Sequence, residues 1–189
     1  MTRDEAWSLL TQHASSPALL KHMLAVEAVM RAYARRFGED EDAWGLAGLL
    51  HDLDYERHPS REAGHPFVGV DVIRSRGASE AVCRAILSHA DYSGVSRETR
   101  MEKALYAADE LAGFVIAVAL VRPSRSLGDV DAASVQKKMK DKAFARGVRR
   151  EDIVRGAEDL GVPLGEHIAF VIQALRGVAP QLGLDGSGR

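Results

Sequence analysis

The chain has 189 residues, a length that fits one domain carrying a helical extension. Its 46% hydrophobic content supports a sizeable core, and a net charge of −2 gives no electrostatic basis for general nucleic-acid binding or membrane adsorption. The single cysteine, Cys83, excludes an intramolecular disulfide and any cysteine-cluster zinc site.

Almost every segment has helical period. A short helix is expected over 4–14, and the opening Met-Thr-Arg-Asp-Glu-Ala-Trp lacks the apolar core of a signal peptide. Ser16-Pro17 reads as an N-cap and first helical position. The helix behind it places Leu19, His22, Val26, Val29, Met30 and Tyr33 on one side and stops at Gly38. His22 therefore faces a core, where its ordinary role is that of a hydrogen-bonded structural histidine. Acidic residues at 39–42 suit the positive end of the next helix dipole. That helix carries Trp44, Leu46, Ala47, Leu49 and Leu50 straight into His51-Asp52.

Residues 54–64 read as an irregular polar loop. A further helix begins near His65-Pro66 and runs to Arg76-Gly77; another opens at Ser79, carries Cys83 on its apolar stripe and reaches His89 before Asp91-Tyr92-Ser93-Gly94 breaks it. Thr99 and Glu102 form a capping box for a long helix that ends before Pro123. The run Leu111 to Val121 within it is about half a membrane span. A helix over 129–142 with a basic end (Lys137, Lys138, Lys140, Lys142), then helices over 149–160 and 163–177, complete the chain; Gly183 to Arg189 are expected to fray. No strand is expected. The prediction is an all-α fold, a single domain over 1–189 with its core at 16–122 and a C-terminal helical extension from 123, in a cytoplasmic setting without a membrane partner.

His51 and Asp52 are neighbours whose side chains leave a helix about 100° apart, so both can lean toward one ion at the end of a buried face. Imidazole nitrogen and carboxylate oxygen are the usual ligands of a divalent metal. Asp109 lies on the apolar stripe between Leu105 and Ala112, where an uncompensated carboxylate is costly. No Lys or Arg stands at 105, 106, 112 or 113 to pair with it locally. His65 and His89, at or near helix ends, add two imidazoles. Helix bundles build metal sites from ligands on facing helices in this manner.

His22, then His51-Asp52, then Asp109, on successive helices, resembles the HD-domain metal-dependent phosphohydrolase superfamily, over roughly residues 16–122. The resemblance implies an HD-domain-like helical bundle and one or two divalent ions (Mn, Fe, Co, Ni or Zn). It also implies His65 and His89 as ligands of a second ion, Asp52 as the bridge, and His22, His51 and Asp109 on the first. Two positions depart from the pattern. Ala90 stands where certain dinuclear members carry a further histidine, and Asp54-Tyr55 replace a Gly-Lys whose lysine contacts substrate. Arg61 and Lys103 are the nearby cations that could serve instead.

The implied chemistry is hydrolysis of a small phosphate ester or nucleotide by a metal-activated water, with Asp52 in the catalytic set. Asp54, Glu56 and His58 are the candidate proton donors. Two alternatives share the scaffold: a di-iron oxygenase, separable by iron content and O₂ dependence, and a nucleotide-binding module in which metal only staples helices.

Overall fold

The helices begin and end where side chains or glycines satisfy their terminal backbone groups. In the computed structural model, which describes residues 1–187, α1 (Arg3–His13) opens on a capping box between Thr2 and Glu5. The Ser16 hydroxyl accepts from the Leu19 amide at the start of α2 (Pro17–Phe37), and Gly38, at φ 70°, closes it in the left-handed conformation. The Asp40 carboxylate accepts from two amides and starts α3 (Glu41–Leu50). After the loop come α4 (Phe67–Ser75), α5 (Glu80–His89), a 3-10 turn at Asp91–Ser93 and α6 (Arg100–Leu120). Thr99 and Glu102 make the expected capping box, each backbone amide donating to the other's side chain. The fold is all-α, 66% helical, with no strand among the described residues.

The chain divides into two compact units, Met1–Tyr106 and a second beginning at Ala107, so the boundary lies inside α6. In the first unit α3 is central and packs on α1, α2 and α5. Its approach to α2 depends on Gly48, where an added Cβ would lie 2.9 Å from the Glu27 backbone. Met23, Met30, Leu49, Leu50, Leu53 and Ile86 fill the core around it.

In the second unit α7 (Ala132–Met139) and α8 (Arg150–Leu160) pack on α9 (Leu164–Arg176), and α10 (Ala179–Leu182) follows. The buried His167 ring meets the Ala107 carbonyl at 2.9 Å. Two expectations change here. α7 is shorter than 129–142, because Leu127–Asp129 forms a 3-10 turn and Asp131 caps the helix through a reciprocal pair with Ser134. The segment from Gly183 does not fray through the described residues: Leu184 is buried, its carbonyl accepts from the Leu127 amide at 2.9 Å, and Asp185 bridges to Ser126. The expected fraying of 188–189 lies outside the described residues. Among those residues, no helix is long and apolar enough to cross a membrane.

Candidate metal centre

α3 is apolar almost throughout and delivers the first candidate ligand at its C-cap. His51 is buried there, and its Nδ1–H can only donate to the Gly48 carbonyl, 2.9 Å away, one turn back. His89 ends α5 in the same manner, its Nδ1–H donating to the Ile86 carbonyl. His65 stands just ahead of α4, and its Nδ1 lies 2.8 Å from Asp54 Oδ1. A carbonyl and a carboxylate both accept, so each of these rings carries its proton on Nδ1 and presents a lone pair at Nε2.

Those Nε2 atoms converge. His22, half-buried one turn into α2, brings Nε2 to 3.2 Å from His51 Nε2, and His65 and His89 Nε2 also face each other at 3.2 Å. Asp52 spans the two pairs: Oδ2 lies 3.6 Å from His51 Nε2, while Oδ1 lies 3.4 Å from His65 Nε2 and 3.6 Å from His89 Nε2. The ligand atoms of His22, His51 and Asp52 lie within 4.8 Å of one another, and so do those of Asp52, His65 and His89.

This donor set fits metal. Two buried imidazoles aiming lone pairs at each other, as His65 and His89 do, repel unless a cation lies between them. Nitrogens bound to one ion at about 2.1 Å stand roughly 3.0–3.4 Å apart at octahedral to tetrahedral angles. The remote nitrogens of His51, His65 and His89 are each fixed by a carbonyl or carboxylate, the usual outer support of a ligating histidine. Five of the six expected ligands therefore come together in the first unit. The sixth, Asp109, lies on α6 beyond the unit boundary, half-buried.

The other expected residues divide by what holds them. Asp54 is buried with both oxygens engaged, Oδ1 on His65 and Oδ2 on the Gly69 amide at 2.6 Å. Gly69 gives the Asp54 carboxylate room, since a Cβ there would sit 3.0 Å from its carboxyl carbon, tighter than an ordinary contact. Glu56 reaches back to the junction of α1 and α2. Hydrogen bonds from the Ser15 hydroxyl and the Ser16 and Ser15 amides hold its carboxyl below its ordinary pKa. His58 contributes backbone to the loop, its carbonyl accepting from the His65 amide at 2.7 Å, while its side chain is exposed. Lys103 is half-buried on α6, and Arg61 lies over the Tyr92 ring.

Sequence reasoning missed the roles of Gly48 and Ile86, which act through main-chain carbonyls. It also missed Tyr55, whose ring meets His65 edge-on at 5.4 Å and is 52% exposed. The only signal for Tyr55 was an aromatic residue just after a metal-binding motif.

Comparison with known proteins places the chain within a described group. The sequence pattern of the HD domain matches residues 19–113. Ribonuclease Y of Oleidesulfovibrio alaskensis is 30% identical over 98 residues, 52% of this chain and 18% of that protein. Ribonuclease Y of Rhodopirellula baltica is 32% identical over 76 residues, 40% of this chain and 15% of that protein. The matched segment is thus under a fifth of either relative. No solved structure matches the chain.

Proposed function

Because the chain belongs to the HD-domain family, we propose that it is a metal-dependent phosphohydrolase acting on a small phosphate ester or nucleotide. The observation that carries this reading is the pair of facing Nε2 couples with Asp52 between them. A bound divalent ion supplies Lewis acidity and lowers the pKa of a coordinated water toward neutrality. The chain's own part is to hold and orient. His22 and His51 form one binding half, His65 and His89 the other, and Asp52 joins them. Asp109 is kept as a candidate carboxylate ligand solely on the strength of its place in the motif order.

Proton delivery to the leaving group is assigned to the loop after Asp52. Asp54 is engaged by His65 and Gly69, and Glu56 by Ser15 and Ser16, which leaves His58 as the donor and Asp54 as a positioning residue. A free buried thiol at Cys83 suits a cytoplasmic setting. The likeness to ribonuclease Y makes a phosphodiester of RNA the second substrate class to try.

Metal analysis of the purified protein, then assays of the Mn²⁺-, Fe²⁺-, Co²⁺-, Ni²⁺- and Zn²⁺-loaded forms against phosphate monoesters, mononucleotides and an oligoribonucleotide, test this. Hydrolysis that depends on metal is expected. Asp52→Ala should lose most bound metal and all activity while keeping its helical circular dichroism. Full metal content and activity in Asp52→Ala would refute the assignment, and turnover that requires iron and O₂ would replace hydrolysis with oxygenation.

A further inference from the structure

The rim of the metal centre is chemically lopsided. Arg61 sits near the tip of a short loop whose ends are tied by the His65 amide on the His58 carbonyl at 2.7 Å and the Gly64 amide on the Ser60 carbonyl at 3.0 Å. Gly64 is required for that closure, because a Cβ there would meet the His58 carbonyl oxygen at 2.2 Å. The loop is therefore tethered directly to one ligand, His65. Tyr92 lies in the 3-10 turn directly after the other ligand of the same half, His89. That turn is anchored by the Arg97 guanidinium, which donates to Asp91 at 2.8 Å and to the Ser88 carbonyl at 3.0 Å.

The two tethered segments meet where Arg61 lies over the Tyr92 ring, 5.4 Å from its centroid. Tyr92 is nevertheless 42% exposed, and Tyr55, edge-on to His65, is 52% exposed. Burial pushes the pKa of the Tyr92 phenol up, Arg61 opposes the rise, and Asp52, Asp54 and Tyr55 add to it, so the phenol is within electrostatic reach of the centre. Two exposed aromatic rings and a guanidinium thus border the His65/His89 half. Ring faces take up planar bases, and guanidinium groups recognise phosphate oxygens.

We infer that Arg61 and Tyr92 form a substrate subsite on the His65/His89 side of the centre, Arg61 holding a phosphate oxygen and Tyr92 stacking on the planar base of a nucleotide. The assignment rests on the phosphohydrolase reading.

The test is calorimetric titration of the metal-loaded full chain, under anaerobic conditions, with inorganic phosphate and with the phosphonate isostere of adenosine monophosphate. The isostere should bind wild-type protein about tenfold or more tighter than phosphate does. Arg61→Gln should weaken both ligands about tenfold. Tyr92→Ala should bring the isostere close to phosphate without altering phosphate itself, and Tyr92→Phe should behave as wild type. Bound metal should be the same in all three variants. Unchanged affinities in Arg61→Gln, an isostere no tighter than phosphate, or equal weakening of both ligands in Tyr92→Ala would overturn the subsite. Wild-type protein that binds both ligands as described yet hydrolyses no ester would retire the hydrolase reading and leave the subsite standing.

Discussion

Asp54 illustrates how one side chain sets the character of a site without touching its reacting atoms. Its two oxygens accept one hydrogen bond from the His65 ring and one from a helix amide, so they fix His65 and the start of α4 together. Replacing it by asparagine keeps the shape but aims an N–H₂ group at one of two donors, either His65 Nδ1–H or the Gly69 amide. Asp54→Asn is expected to lower affinity at the His65/His89 half about 10- to 100-fold. Metal titration should then show one ion retained and the other lost at moderate concentration. Two ions bound with wild-type affinity would mean that His65 is oriented by something else.

Elements contribute through their ends and close approaches. Gly48 lets α2 and α3 touch and also supplies the carbonyl that orients His51. Gly48→Ala should cost about 1–3 kcal/mol of stability by overpacking, read by denaturant unfolding, and should weaken metal binding as well. Glu102, buried at the head of α6, accepts from the Thr99 and Glu98 amides and from Arg84. Burial alone would raise its pKa, but those bonds prevail and hold it below the ordinary value. A carboxyl depressed in the fold contributes stability above its ordinary pKa of about 4.5 and loses it as pH falls through the lower folded value. Glu102→Gln should therefore destabilise near neutrality by about 1–2 kcal/mol and show a shallower acid transition, checked by urea melts across pH. These ends were largely legible in the sequence: Ser16-Pro17, Gly38 and the Thr99/Glu102 box all fall where periodicity required a start or stop. So were the four histidines and Asp52, because imidazoles on apolar helices need an explanation. The tautomers were not legible, since Gly48 and Ile86 act through carbonyls that every residue possesses. Nor was the burial of Leu184, a single apolar residue in a polar tail.

At the scale of the molecule, the proposed site belongs to native packing: the side chains that could hold metal come from α2, the end of α3, the residue before α4 and the end of α5. An unfolded chain cannot assemble that set, so ion binding adds directly to folding free energy. At a free ion concentration 100 times Kd, one site adds about 2.7 kcal/mol. For a chain of this size that corresponds to a Tm increase on the order of 5–10 °C. Melting with Mn²⁺ or Zn²⁺ against the chelated protein should display the shift, and Asp52→Ala should abolish it. Equal melting temperatures with and without metal would argue against a centre built by the fold.

The three supports behind the ligand rings differ in one respect that bears on heredity. Those of His51 and His89 are peptide carbonyls, which no codon change at Gly48 or Ile86 can delete outright. His65 depends on a side chain, and Asp54 becomes Asn by a single G-to-A transition in either aspartate codon. One half of the centre is thereby buffered against drift, while the other is one nucleotide from losing its orientation. On the two-ion reading, a lineage that lost Asp54 would keep the His22/His51 half and the helices that carry it.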